Sequence, residues 1–235
     1  MAGTQRAGDS SSSSANKFSY EVFLSFNAER VGNDFVDYVS IALSKKGFKV
    51  YNENDGKEHD KETRKKRYQA IEQSRLSVVI VTKQYVRSPW CLDELVKILE
   101  QLKKNSAGHN VLPVFYHHME PIEVGKQLGR PCEEAFAVHE EAFAGEPGKV
   151  EKWRSALAQV AKLAVKGLSV SETSWYEARL RQNIIEEVWK IVGARRVQVS
   201  LDIYGSEATA ESIRKWMEDV VKIWNESQMR RSYEY

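Results

Sequence analysis

Cysteine is scarce: Cys91 and Cys132 are the two in 235 residues. That excludes a disulfide scaffold and leaves too few thiolates for a cysteine-based zinc site. A stretch of about 20 apolar residues, which a membrane-spanning helix needs, is also missing. The longest apolar run, Leu76 to Val81, is interrupted by Ser77, so no membrane span is expected. Charge of one sign is absent as well. The 35 basic and 33 acidic residues leave a net +2, which gives no footprint for nucleic acid or a membrane surface. The phosphate-binding patterns G-x-x-x-x-G-K-[ST] and G-x-G-x-x-G do not occur, and neither does a G-x-S-x-G nucleophile elbow. A nucleotide-driven motor, a Rossmann dehydrogenase and a serine hydrolase of that type are thereby excluded. Residues Met1 to Lys17 have no apolar signal-peptide core, and Ala2 stands where myristoylation needs glycine. A reducing cytoplasmic or nuclear compartment is the expectation.

What is present is enough apolar material for a core, 42% of the chain, in an alternating order. Residues 1–17, with the run Ser10 to Ser14, read as a disordered arm. Tyr20 to Phe26 reads as a strand, Asn33 to Lys46 as a helix that Gly47 ends, and Phe48 to Tyr51 as a second strand. Asn52 to Glu62 is polar and reads as a loop. Thr63 to Ser74 reads as a helix with a basic start, Arg64-Lys-Lys-Arg67, whose first turn is expected to fray against the macrodipole. Leu76 to Thr82 is the strongest strand signal, apolar on both faces as in a parallel sheet. Trp90 to Lys103 carries Leu92, Leu95, Val96, Leu99 and Leu102 on one helical stripe. Asn110 to Tyr116 is a strand whose Pro113 suggests an edge or a kink. Helices over Pro131–Ala144 and Val150–Lys166, a short fifth strand at Gly167–Val170 and a helix over Trp175–Val192 complete this region. The alternation predicts an α/β fold with a parallel sheet and helices on both faces. Residues 18–192 are expected to form one domain, and 193–235 a linker and an amphipathic helix. That helix carries Ile213, Trp216, Met217, Val220 and Trp224 on one side.

Ser88-Pro-Trp-Cys-Leu-Asp-Glu-Leu95 carries the most chemical information. Ser88 suits an N-cap and Pro89 the first helical position, while Asp93 and Glu94 complement the helix dipole. Structure alone therefore accounts for most of the segment, but not for a tryptophan at the helix mouth. Trp90 and Glu94 are four apart on one face. A carboxylate beside an aromatic wall suits a flat cation or an oxocarbenium-like centre. The adjacent His117 and His118 point to different sides of the chain and make no metal site alone.

From Phe18 to Val192 the chain resembles plant Toll/interleukin-1 receptor (TIR) domains, of the kind that begin disease-resistance receptors. The residues that carry the resemblance are Tyr20 to Phe26, Ala70-Ile-Glu-Gln-Ser-Arg75, Ser88 to Leu95, Val111 to Tyr116 and Val150-Glu-Lys-Trp153. It implies a flavodoxin-like, five-stranded parallel sheet and a role in plant innate immunity through TIR–TIR association. It also implies family-type cleavage of NAD+, as substrate rather than cofactor, with Glu94 catalytic and Trp90 and Ser88 contacting the ligand. The family's F-R-G-x-D-x-R here reads Phe26-Asn-Ala-Glu-Arg-Val-Gly32, so both arginines are replaced, by Asn27 and Gly32, and Arg30 is the weak substitute. Asp60 and Thr63 stand where the loop after the second strand usually has Gly and Ile. Asp37 and Tyr38 replace a Ser-His pair of the first helix. Two readings stand side by side, an NAD+ nucleosidase or a non-catalytic adaptor or decoy that binds other TIR receptors. The chain stops before the nucleotide-binding domain of such receptors, so a truncated, TIR-only member is the expectation.

Overall fold

The structure, a computed structural model, describes residues 18–27, 33–52, 60–104, 108–116, 119–164, 169–170, 174–193 and 215. The expected N-terminal arm, Arg30, Gly32, His117, His118 and nearly all of the expected C-terminal helix lie outside these residues. The chain divides into two units between Ile185 and Glu186, and the sheet belongs to the first of them.

Strand β1 (Tyr20–Ser25) leads to helix α1 (Asn33–Lys45) and β2 (Val50–Tyr51); then come α2 (Lys61–Glu72), β3 (Ser74–Val81) and α3 (Lys83–Arg87). Helix α4 (Pro89–Lys104), strand β4 (Asn110–Tyr116), helices α5 (Pro121–Lys126), α6 (Arg130–Ala142) and α7 (Pro147–Lys162), β5 (Ser169–Val170) and α8 (Ser174–Val188) follow, and a π-helical turn over Trp189–Gly193 completes the described order. The sheet runs β2-β1-β3-β4-β5, and every adjacent pair is parallel. Its centre is β1, β3 and β4. Of the fifth strand expected at Gly167–Val170, Ser169 and Val170 lie among the described residues and pair with Phe115 and Tyr116. Pro113 pairs with Val79 of β3, and among the described residues it has no partner on the β5 side, where its missing N–H would be needed.

Alternation along the strands builds two cores. Phe23, Val79, Val81 and Phe115 face one way and pack with Leu92, Leu95 and Ile98 of α4, Phe136 of α6 and Trp153 of α7. Val22, Leu24, Val78, Ile80, Leu112 and Val114 are equally buried and face the other way. There the ring of Phe35 on α1 lies 4.8 Å from that of Tyr116. Each fully buried Leu, Ile, Val or Phe contributes roughly 1.5–3 kcal/mol, so the strands are held from both sides. Helix α1 stops where expected. Gly47 adopts φ 82°, its N–H donates to Ser44 and that of Phe48 to Leu43, the paired bonds of a left-handed helix stop.

Two helices are absent from the sequence-based expectation. Helix α3 starts because the Thr82 hydroxyl accepts the Tyr85 N–H at 3.0 Å, and α5 begins at Pro121, a residue preset for a first helical position. Helix α2 also begins earlier and more firmly than its basic sequence suggests. The Asp60 carboxylate accepts the Thr63 N–H at 2.7 Å, which satisfies a terminal donor and places negative charge at the dipole's positive end. No helix among the described residues is long and apolar enough to cross a membrane.

Candidate functional site

Parallel sheets present chemistry beyond the C-terminal ends of their strands. Here β1 ends in Ser25, which is fully buried on the face toward α4. Ser88 sits between α3 and α4 and serves both. Its N–H donates to Tyr85 and its carbonyl accepts from Leu92. Its hydroxyl accepts the Cys91 N–H at 3.3 Å. Ser88 thus acts as the predicted cap, and the turn it makes aims the first two turns of α4 at the end of β1.

Glu94 is 3% exposed, and both of its oxygens are engaged. The Ser25 hydroxyl donates to Oε1 at 2.6 Å. Arg67 of α2 donates from Nε to Oε2 at 2.6 Å and from Nη2 to Oε1 at 3.1 Å. With the Ser25 proton committed to Glu94, the Tyr85 hydroxyl, 2.9 Å away, donates to Ser25. The Arg67 guanidinium lies 5.0 Å from the Phe23 ring centre and reaches the Leu24 carbonyl at 3.4 Å. Burial works against the charge of Arg67, but the Glu94 carboxylate outweighs it and holds the guanidinium above its usual range. Burial first and Glu94 second push the Cys91 thiol up to about 12. Burial likewise raises the Tyr85 phenol well above its ordinary value. Neither group is a nucleophile at neutral pH.

The tryptophan is covered by the same helix. The Arg64 guanidinium lies 4.5 Å over the Trp90 ring and donates to Asp93 at 2.7 Å. Asp93 also accepts the Trp153 indole N–H at 2.9 Å. It therefore joins α2, α4 and α7, which accounts for this carboxylate in structural terms. A groove of about 630 Å³ opens nearby over Tyr68, Lys97, Gly148, Lys149, Lys152 and Trp153, but Trp90 and Glu94 do not line it.

Of the residues expected from sequence, Ser88, Trp90 and Glu94 therefore come together at one helix start. Asn27, half-buried, reaches Cys91 Sγ at 3.9 Å. Asp60, expected in a loop, instead caps α2, and Thr63 lies in its first turn. Tyr38 is half-exposed on α1, beneath the Arg181 guanidinium of α8 at 5.0 Å. Sequence reasoning missed Ser25, Tyr85, Arg64 and above all Arg67. The basic run reads only as an unfavourable helix start, yet Arg67 is 8% exposed. The available signals were a lone serine closing an apolar strand and two arginines three apart, which share a helix face. No cluster of His, Cys, Asp and Glu among the described residues could hold a metal ion.

Comparison with known proteins agrees with this architecture. The TIR domain family model matches residues 19–203. Disease resistance protein RPV1 of Vitis rotundifolia is 34% identical over 212 residues, which is 88% of this chain and 14% of that protein. TMV resistance protein N of Nicotiana glutinosa is 30% identical over 208 residues, 88% of this chain and 18% of that protein. The chain thus spans less than a fifth of the length of these relatives. Among solved structures, the TIR domains of the activated Roq1 resistosome, which directly recognises the pathogen effector XopQ, are 32% identical. They superpose with a TM-score of 0.60, covering 72% of this chain and 99% of theirs.

Proposed function

Because the chain belongs to the TIR domain family, we propose that it is an innate-immune signalling module that works by associating with other TIR domains and does not itself cleave NAD+. The relatives RPV1 and N are resistance proteins, and the similar solved structure is an assembled, activated receptor. One observation carries the negative half. Both oxygens of Glu94 are taken up by Arg67 and Ser25 inside the fold. A carboxylate that stabilises a sugar cation must face that cation, and misplacement by 1 Å can cost about 100-fold in rate. With Asn27 in place of an arginine, a phosphate-holding fork is also missing.

The alternative is NAD+ nucleosidase activity. It draws support from the convergence of Ser88, Trp90 and Glu94 on one helix start, and it requires Arg67 to release Glu94. Nicotinamide release from NAD+ separates the two readings when purified chain and Glu94→Gln are compared with a crowding agent present. Equal, background release together with co-elution of the chain with a TIR receptor domain is the expected result. Release that disappears in Glu94→Gln would overturn the non-catalytic reading. Failure to co-elute with any TIR domain, itself included, would overturn the association.

A further inference from the structure

A flat cation stacked on Trp90 and paired with Glu94 is the ligand chemistry that these two residues suit. Both places already hold one. Arg64 and Arg67 lie on the same face of α2, three residues apart, and each presents a planar guanidinium. Arg64 lies 4.5 Å over the Trp90 ring and Arg67 forms a two-point pair with the Glu94 carboxylate. We propose that Arg64 and Arg67 occupy in cis a flat-cation site formed by Trp90 and Glu94, and that they set its specificity by excluding external cations.

Three features favour occupancy over incidental packing. The Arg67 fork is saturated on the Glu94 side, with two donors on two oxygens, which is the geometry a bound ligand would reproduce. Arg64 is 38% exposed, so the cover over Trp90 borders water and can be removed without excavating the core. The chain Tyr85–Ser25–Glu94 fixes the carboxylate independently of Arg67, so the anionic half of the site is preorganised without its occupant. The proposal takes Trp90 and Glu94 as a ligand position from their residue chemistry, and it rests on the functional reading only in sharing the Arg67–Glu94 pair.

The test uses the full chain and two probes, 1-methylnicotinamide and methylguanidinium. Arg64→Ala keeps the buried pair and removes the guanidinium that lies over the Trp90 ring. Quenching of tryptophan fluorescence by 1-methylnicotinamide is expected to show about tenfold tighter binding than wild type, the size of one cation–π contact. That gain is expected to vanish in Arg64→Ala/Trp90→Phe. Arg67→Ala empties the place beside Glu94, and methylguanidinium is expected to raise its Tm but not that of Arg67→Ala/Glu94→Gln. Should Arg67→Ala fold only with a cation present, recovery of native circular dichroism on adding methylguanidinium is the same positive result. The proposal is overturned if folded Arg64→Ala binds 1-methylnicotinamide no better than wild type. It is equally overturned if methylguanidinium fails to stabilise or refold Arg67→Ala, or acts equally on the Glu94→Gln double variant. NAD+ cleavage by the wild type would remove the non-catalytic reading and, because it needs Glu94 released, the exclusion of external cations with it. Failed cation binding would remove this inference and leave the association reading untouched.

Discussion

Arg67 keeps a guanidinium with 10% of its side chain open to water against a carboxylate with 4% open. Two such charges are costly to bury, and their mutual attraction offsets that cost only while both are present. Glu94→Ala is therefore a poor probe of chemistry, because it strands the Arg67 charge. A loss of about 3–5 kcal/mol on urea unfolding is expected for it, whereas Arg67→Met/Glu94→Leu should lie within about 1 kcal/mol of wild type or above it. If the double variant is as unstable as Glu94→Ala, the pair is not the source of the loss. The visible half of this pair follows a general pattern. Glu94, Trp90 and Ser88 could be read from the sequence because spacing along one helix fixes which of them share a face. Ser25, Tyr85 and Arg67 could not, since each belongs to another element, with Arg67 and Ser25 reaching Glu94 from 27 and 69 positions away, and one sequence alone does not show which faces meet.

Helix α2 decides which of its basic residues turns inward, and its starting point decides that register. The Asp60 cap begins the helix at Lys61, two residues before the start suggested by the pattern, and the earlier start makes the firm first turn that the basic run argued against. The bond from the Thr63 N–H lowers the Asp60 carboxyl below its ordinary value. That contribution is present above the ordinary value and is lost as pH falls through the folded one. Asp60→Ala is expected to lower Tm by a few degrees at pH 7 and to have little effect at pH 2, which thermal melts at the two pH values check. Long elements were legible for a related reason. The apolar run of β3 and the apolar stripe of α4 are long enough for a period to emerge. Helices α3 and α5 span 5 and 6 residues, fewer than two turns, so only the cap Thr82 and the first-position Pro121 announce them.

At the scale of the first unit, the seam between β3 and β4 holds a group sensitive to mild acid. His109 is 4% exposed. Its ring lies 2.8 Å from the Ser74 carbonyl and 3.2 Å from the Ser77 hydroxyl. A neutral ring donates to the first and accepts from the second. Burial lowers its pKa from the usual 6.5, against the pull of the Ser74 carbonyl. The unfolded chain thus binds this proton more readily, so stability is complete above about pH 6.5 and declines as pH falls toward the lower folded value. Urea midpoints are expected to drop between pH 7.5 and 5.5, and His109→Gln is expected to flatten that slope. The fold class was legible at this scale because alternation of strand and helix admits few architectures, while the shortness of β2 depends on its pairing partner. The attachment of α2 has a different physical character from the rest. Ala70 and Ile71 are its buried apolar residues, and three ion pairs tie it to α4: Arg64–Asp93, Arg67–Glu94 and Lys97–Glu72. Ionic strength acts on these unequally, since at about 1 M salt the screening length is about 3 Å for charges that meet water. The two outer ties then slacken while the inner one, sealed from ions, keeps its grip, so in concentrated electrolyte the helix is held by Arg67 together with the buried Ala70 and Ile71.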